Sequence, residues 1–343
     1  MENVKWIYEH LVDETSKKIF ALRYMYYLTG DYTFLLQTSL TRKEVKEVHA
    51  KIKASNKRKL IFGAGIWGEG ILRTFNDIEW ECFVDNYRDK KGLHEFAGKR
   101  VLSFDEYLDS YKEELIIISS RVYNQQIYSQ LKNAGIGEEN IINIGKINDY
   151  LNGEQYFDLP ELKNAISDKE YFVDGGSLDG RSAICFKEWS GNRFGKVYAI
   201  EPDKKNIESC KTNFQNNGIS QYEIITHGLW NEKNILSFEE SNNGISKVVL
   251  QGGKTQIPVD KLDNLINDTV TFIKMDIEGS EYNALLGCER IIREQRPKLA
   301  ICIYHKPEDI IEIPSIILSY NPDYKLYIRH YSTIWGESVL YAL

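Results

Sequence analysis

Acidic residues follow apolar runs at three places in the second half of the chain. At the first place, Asp174 opens a turn rich in small residues. The residues of that turn that could bind a ligand are Asp174, Gly175, Gly176, Ser177, Gly180 and Ser182. A carboxylate followed by free backbone N–H groups suits a cofactor that carries both an ammonium and a carboxylate. The turn therefore predicts a cofactor site.

The second acid is Glu201, which ends the next apolar run, and Pro202 breaks the chain directly after it. A carboxylate at this place can accept hydrogen bonds from both hydroxyls of an adenosine ribose. Taken singly, Asp174 or Glu201 could equally be the N-cap of a helix. Together, at the ends of successive runs, they favour a site for a nucleotide-like cofactor.

The third place holds two acids, Asp276 and Glu278, and the next apolar run ends close to His305. In open α/β sheets, ligands bind outside the carboxyl ends of the strands, so these residues lie where chemistry is expected. The ordinary pKa of histidine, about 6.5, suits it to accept a proton near neutral pH. We therefore predict His305 as the general base, Asp276 as the next candidate, and Glu278 as an orienting residue.

A purely structural role for His305 also stays open, since it precedes the helix at Pro307 and could cap that helix by a hydrogen bond. Asp276, Glu278 and His305 have the side-chain types of a metal site. No pair of histidines at i, i+4 spacing accompanies them, and no metal is predicted.

A separate glycine pattern, Gly63, Gly65 and Gly68, follows an apolar run in the first half of the chain. Asp85 comes 20 residues after Gly65, where a dinucleotide-binding domain has the acid that binds the ribose. This arrangement predicts a possible second nucleotide site. Trp67 occupies space that a diphosphate would need, and the alternative is that the glycines only let a strand pack against a helix.

These motifs lie in a chain of alternating strand and helix patterns, which predicts an α/β fold. Residues 1–56 read as amphipathic helices, either a cap on the core or an arm for homodimerisation. Residues 57–150 read as a small doubly wound domain, and residues 151–343 repeat the same rhythm on a larger scale. Alternating apolar residues around Asn243 predict a β-hairpin in the larger segment.

The composition excludes several classes of protein. No apolar run approaches the roughly 18 residues of a membrane span, and the N-terminus lacks a signal-peptide pattern. The five cysteines are scattered, which is typical of reduced thiols and predicts a cytoplasmic location. The whole net charge of −7 lies in residues 151–343, because residues 1–150 carry equal numbers of acidic and basic side chains. A nucleic-acid partner is therefore disfavoured.

The motif order of the third segment resembles the FkbM family of S-adenosylmethionine-dependent methyltransferases. The resemblance rests on Phe172–Gly180, Ile200–Pro202, Val259–Asp263, Phe272–Glu281 and Arg296–Leu299. It implies a class I methyltransferase fold with a seven-stranded sheet, S-adenosylmethionine as cofactor, and methylation of a hydroxyl of a sugar or another natural-product scaffold. The second segment resembles small Rossmann-like domains of bacterial sugar-modifying and polysaccharide-assembly proteins, which favours a sugar, a nucleotide-linked sugar or a surface glycan as the acceptor.

By position, the resemblance assigns Asp174, Gly176 and Gly180 to the methionine part of the cofactor and Glu201 to its ribose. It sets Asp276 and Glu278 beside the transferred methyl group. Where many family members have Glu and His after the fifth strand, this chain has Tyr304 and His305.

Two other functions remain open from the sequence. The glycine pattern at Gly63 could serve an NAD(P)-dependent oxidoreductase. Alternatively, both α/β segments could be scaffolds of a non-catalytic binding or assembly protein.

Overall fold

The computed structural model describes residues 2–110, 113–239, 247–249 and 255–343. The chain divides into two compact units. The larger unit comprises Met1–Phe20, Gln155–Arg329 and Ser338–Leu343, and the smaller unit comprises Ala21–Glu154 and His330–Glu337. The predicted N-terminal helical segment is thus shared between the two units, and the boundaries 1–56, 57–150 and 151–343 stay a prediction.

The first part of the chain alternates short strands with helices after an all-helical start. In chain order its elements are α1 (Glu2–His10), α2 (Glu14–Thr29), α3 (Tyr32–Ser39), α4 (Lys43–Ala54), β1 (Lys59–Phe62), α5 (Ile66–Thr74), β2 (Cys82–Val84), α6 (Arg88–Lys91), β3 (Glu95–Phe96), β4 (Lys99–Leu102), α7 (Phe104–Ser110), β5 (Leu115–Ile118), α8 (Asn124–Asn133), a 3₁₀ turn (Glu138–Asn140), β6 (Ile141–Asn143) and α9 (Ile144–Glu154).

The second part of the chain continues the alternation. Its elements are α10 (Pro160–Asn164), β7 (Glu170–Gly175), α11 (Arg181–Trp189), β8 (Phe194–Ile200), α12 (Lys204–Asn216), β9 (Tyr222–Ile225), β10 (Gly228–Leu229), β11 (Asn234–Glu239), β12 (Lys247–Val249), β13 (Thr255–Asp260), α13 (Leu262–Leu265), β14 (Phe272–Met275), α14 (Glu281–Leu286), α15 (Glu289–Gln295), β15 (Lys298–Cys302), α16 (Asp309–Tyr320), β16 (Leu326–His330) and β17 (Ser338–Ala342). Among the residues that the structure describes, no helix is both long and apolar enough to cross a membrane.

A seven-stranded sheet forms the core of the larger unit, in the order β16-β17-β15-β14-β7-β8-β9. Strands β15, β14, β7, β8 and β9 are parallel, whereas β17 runs antiparallel to β15. Strands β14 and β15 are buried along their whole length, which explains why their residues are apolar except for Lys274 and Lys298. The predicted α/β fold with a seven-stranded sheet is confirmed.

The strand order also decides where a ligand can bind. The chain moves outward from β7 in two directions, to β8 and β9 on one side and to β14 and β15 on the other. Such a reversal opens a crevice at the carboxyl ends of the strands on either side of it. The residues that follow β7, β8 and β14 therefore share one edge.

A small four-stranded sheet, in the order β10-β13-β11-β12, is inserted between β9 and β14. Strands β11 and β12 pair antiparallel, with Ser237 opposite Val249, so the strands of the predicted hairpin are present. The turn residues Asn242, Asn243 and Gly244 lie outside the described residues.

The smaller unit contains a six-stranded sheet in the order β3-β4-β2-β1-β5-β6. All neighbouring pairs are parallel except β3 with β4. Its core is the apolar cluster around Leu60, Phe62 and Ile116. This is the smaller α/β sheet that the strand and helix patterns predict.

Candidate active site

A cleft opens at the carboxyl edge of the larger unit's sheet. Its lining residues are Gly176, Leu178, Ile200, Glu201, Pro202, Asn206, His227, Gly228, Leu229, Ile257, Asp276, Ile277, Glu278 and Ser280. Five of the predicted site residues are among them, from the loops after β7, β8 and β14. They converge because these three strands are neighbours in the sheet.

The loops after β7 and β14 touch at Gly176. Its φ of +72° lies in the left-handed region, and a Cβ atom there would lie 2.0 Å from the backbone carbonyl oxygen of Asp276. Only glycine fits this close approach. The contact brings the glycine turn against the loop that carries the acids.

Asp174 differs from its predicted role. It is fully buried beneath the cleft, with its Oδ1 3.0 Å from the Lys274 ammonium and its Oδ2 accepting a 2.5 Å hydrogen bond from Ser182. Lys274 also donates to the carbonyl oxygens of Gly175 and Gly176, at 3.2 and 2.9 Å. Because a buried carboxylate requires a paired cation, Asp174 faces this lysine and not the ammonium of a ligand.

The backbone N–H groups of the turn also have partners inside the protein. Those of Gly176 and Ser177 donate to the Ile200 carbonyl at 3.0 and 3.2 Å, and that of Leu178 donates to Glu201. The sequence predicts that these N–H groups are free for a ligand carboxylate, whereas in the structure they are paired. Gly180 packs closely, since a Cβ there would lie 2.6 Å from the Phe214 ring.

Glu201 is held at the cleft wall by backbone groups. Its Oε2 accepts from the N–H of Leu178 and its Oε1 from that of Asp203, both at 2.9 Å. Burial raises the pKa of this carboxyl, although the two hydrogen bonds act in the opposite direction. The Asn206 side chain also hydrogen-bonds to this carboxylate, and a carboxylate can accept about four hydrogen bonds in all. Beside the apolar side chains of Leu229 and Ile257, this carboxylate fits an adenosyl group.

Two tyrosine hydroxyls, a histidine and a lysine surround the Asp276 carboxylate. The Tyr156 hydroxyl donates to its Oδ2 at 2.8 Å and the Tyr304 hydroxyl to its Oδ1 at 3.3 Å. Burial acts to raise the pKa of Asp276, but the positive charges of His305 and Lys274 and the Tyr156 hydrogen bond outweigh it and lower the pKa. Asp276 is therefore an ionised carboxylate at the cleft.

His305 lies behind Asp276 among three carboxylates. Its Nδ1 is 3.0 Å from Oε1 of Glu281, and its Nε2 is 3.4 Å from Asp276 and 3.5 Å from Glu278. Burial acts to lower the pKa of His305, but the three carboxylates outweigh it and raise the pKa to about 10. A ring protonated at neutral pH has no lone pair for another proton, so this geometry argues against the predicted role as general base.

Asp276, Glu281 and His305 also bring one potential ligand atom each within 4.8 Å of one another. A metal ion binds a single ring nitrogen of a histidine. The two carboxylates here face different nitrogens of His305, Glu281 at Nδ1 and Asp276 at Nε2. We therefore interpret the group as an ionic cluster.

Sequence reasoning assigns no site role to three residues that contact the acids or the histidine: Tyr156, Lys274 and Glu281. Lys274 carries a signal, because a lysine inside the apolar run of β14 must have a buried partner. Glu281 reads as an ordinary residue of the first turn of a helix. Nothing in the sequence connects Tyr156 to an acid 120 residues away.

The residues of the predicted second nucleotide site do lie together in the smaller unit. A Cβ at Gly68 would lie 2.0 Å from the carbonyl oxygen of Gly63, so this glycine serves the packing of the strand against the helix. Both carboxylate oxygens of Asp85 accept from backbone N–H groups, one of them that of Ala64 at 2.9 Å. Gly65 alone has open space around it. This geometry favours the packing role over a nucleotide role.

Residues 174–326 match the family model described as the methyltransferase FkbM domain. This part of the chain is therefore similar to the FkbM methyltransferase domain, and residues 174–326 are called the FkbM domain below. All the acids of the cleft lie within this FkbM domain, whereas Tyr156 precedes it. Residues 55–142 match the family described as C2185-like, N-terminal. No curated protein matches the sequence.

Several solved structures resemble the chain. The methyltransferase FkbM from Methylobacillus flagellatus KT is 21% identical, with a TM-score of 0.49, and covers 92% of this chain and 100% of its own. Aeropyrum pernix fibrillarin with natively bound S-adenosyl-L-methionine is 11% identical, with a TM-score of 0.36, over 57% and 74% of the two chains. A putative methyltransferase from Streptococcus mutans in complex with SAH is 9% identical, with a TM-score of 0.33, over 53% and 93%.

Proposed function

We propose that the FkbM domain transfers a methyl group from S-adenosylmethionine to a hydroxyl of a sugar, either free, nucleotide-linked or part of a glycan. One observation carries the proposal: Glu201 and Asp276 line the same cleft from the ends of β8 and β14. The first is suited to a ribose and the second to a hydroxyl proton.

The cleft offers different chemistry at its two ends. When bound, S-adenosylmethionine supplies an electrophilic methyl group on a sulfonium. Glu201 would accept hydrogen bonds from the ribose hydroxyls, and Ile200, Leu229 and Ile257 would pack on the adenine. Gly176 has no side chain, so the cofactor can approach the backbone of the turn closely. Lys274 fixes the turn by donating to the Gly176 carbonyl oxygen at 2.9 Å.

Asp276 is our candidate for the general base. The acidity of a hydroxyl rises as its oxygen forms the new bond to carbon, so an ionised carboxylate within reach can take the proton at that stage. Such a base typically contributes about 10²- to 10⁴-fold in rate. The His305 imidazolium stabilises this charge from behind.

Glu278 would orient the acceptor. It lines the cleft and adopts a φ of +54°, which is unusual for a residue with a side chain. Together with Asp276 it offers carboxylate oxygens to the several hydroxyls of a sugar. This supports a polyhydroxylated acceptor over an apolar one.

Cofactor binding tests the proposal first. We expect S-adenosylhomocysteine to raise the melting temperature of the protein, since a ligand at 100 times its Kd adds about 2.7 kcal/mol of stability. Glu201→Gln should reduce that shift. The control Asp323→Asn should leave it unchanged, because Asp323 is not among the residues that line the cleft. A shift with NADH and none with S-adenosylhomocysteine would instead favour the oxidoreductase.

Turnover tests the acceptor. The protein is incubated with methyl-labelled S-adenosylmethionine and a panel of nucleotide sugars, free sugars, catechols and proteins. Label on sugars that is lost in Asp276→Asn supports the proposal. Label on catechols or proteins, with none on sugars, would overturn the sugar assignment.

A further inference from the structure

Tyr156 brings a side chain to the cleft acids from outside the FkbM domain. It belongs to the larger unit, lies between α9 and α10, and is 7% exposed. Its hydroxyl donates a 2.8 Å hydrogen bond to Oδ2 of Asp276. A residue that precedes the family match by 18 positions thus contacts the carboxylate to which we assign the proton transfer.

The backbone of Tyr156 is held in an uncommon conformation. Its φ is +76°, in the left-handed region that bulky residues rarely adopt. Its N–H donates to the Tyr341 hydroxyl at 3.1 Å. The next residue, Phe157, packs with its ring 5.7 Å from that of Phe272 and 6.1 Å from that of Phe172. Contacts on both sides therefore maintain a conformation that the sequence does not favour locally.

The ring and the hydroxyl of Tyr156 have separable contacts. The ring lies 5.4 Å from the Lys274 ammonium, and a phenylalanine would keep that contact. The hydroxyl contacts Asp276 at 2.8 Å and the Cys302 sulfur at 3.5 Å. Because sulfur is a weak hydrogen-bonding partner, the carboxylate is the partner that matters.

We propose that Tyr156 is a positioning residue for methyl transfer, whose hydroxyl sets the orientation of the Asp276 carboxylate in the cleft. This inference rests on the proposed function, since it assigns Tyr156 to the base of that reaction. Among the described residues, Lys274, Cys302, Tyr304 and His305 also face Asp276. All four belong to the FkbM domain, whereas Tyr156 is a contact supplied by the preceding segment.

Tyr156→Phe tests the proposal, because it removes one oxygen and retains the ring. Tyr198→Phe is the matched control, since the Tyr198 hydroxyl donates at 2.7 Å to Asp268, a carboxylate outside the cleft lining. Circular dichroism and the S-adenosylhomocysteine-induced melting shift show whether each variant folds and binds. We expect both variants to match the wild type in these two measurements.

The readouts are the pKa of Asp276 and the steady-state kinetics. With ¹³C-labelled aspartate and Asp276→Asn to assign the signal, we expect Tyr156→Phe to raise the pKa of the Asp276 carboxyl by about one unit, because a hydrogen bond to a charged acceptor is lost. The acid limb of the pH profile of kcat should shift to higher pH by the same amount. At the optimum, kcat should fall roughly tenfold or more, because the carboxylate loses its fixed orientation toward the acceptor hydroxyl, with KM for the cofactor nearly unchanged. Tyr198→Phe should change none of these.

The outcomes separate the two proposals. An unchanged Asp276 pKa and an unchanged acid limb in folded Tyr156→Phe would overturn the role of Tyr156. Full turnover by Asp276→Asn would overturn the assignment of the base, and with it the catalytic importance of Tyr156, even if the hydrogen bond exists. A wild-type protein that does not bind S-adenosylhomocysteine would overturn the proposed function itself. A Tyr156→Phe variant that loses S-adenosylhomocysteine binding along with its turnover would indicate a structural role and also count against the proposal.

Discussion

The charge on His305 should make the stability of the protein depend on pH. The ring is buried beside Glu281, Asp276 and Glu278, and its pKa is raised from 6.5 to about 10. A raised pKa means that the folded protein holds this proton more tightly than the unfolded chain. The resulting stabilisation is fully present below pH 6.5 and is lost as the pH rises toward 10. His305→Gln removes the group and should remove this dependence.

The expected magnitude follows from the linkage relation. Each pH unit between the two pKa values costs at most about 1.4 kcal/mol. Between pH 6.5 and pH 9 the wild type should therefore lose about 3 kcal/mol through His305 alone. Other groups also titrate in this range, but they are common to both proteins. The difference between wild type and His305→Gln isolates the histidine.

The assay is urea unfolding of both proteins at four pH values from 6.5 to 9, with His94→Gln, an exposed histidine in the smaller unit, as the control. We expect His305→Gln to be less stable at pH 6.5 and to approach the wild type at pH 9. An NMR titration of the imidazole ring provides a direct check. Parallel pH dependences, or a ring that titrates near 6.5, would refute the charged cluster and restore His305 as a candidate base.

Three further substitutions test the packing of the site by urea unfolding. Gly176→Ala should lower the free energy of unfolding by several kcal/mol, because its Cβ would lie 2.0 Å from a backbone carbonyl oxygen. The control Gly191→Ala, at a φ of +61° with open space around it, should lower it by only about 1–2 kcal/mol. Equal losses would contradict the steric argument. Lys274→Met should lower the free energy of unfolding by about 3–5 kcal/mol, because it leaves Asp174 buried without its cation. Adding Asp174→Asn to the same chain should restore part of this stability. No restoration would argue against the ion pair. Burial raises the pKa of Asp309 from 3.8 to about 7, so the stability that this group contributes is lost as the pH rises between those two values. Asp309→Asn should weaken this pH dependence of the free energy of unfolding. An unchanged pH profile would show that the carboxyl is not held protonated.

The sequence by itself determined the fold class and the position of the cleft acids. Strands β14 and β15 are almost entirely apolar because they are buried throughout, so their ends can be located without coordinates. Since parallel strands end at the same edge of a sheet, Glu201 and Asp276 could be predicted to lie at one site. The motif strings of residues 172–299 likewise identified the FkbM domain, which the family match confirms.

Only the tertiary structure decided what each acid faces. Asp174 and Glu201 look alike in the sequence, each at the end of an apolar run before a turn. The pairing of β7 with β14 brings Lys274 within 3.0 Å of Asp174 and buries that carboxylate, whereas Glu201 stays on the cleft wall. His305 reads as a base until Glu281 is found 3.0 Å from it. Periodicity reports which side of an element is buried, but a pKa depends on charges within a few ångströms, and strand order and long-range packing decide which charges those are.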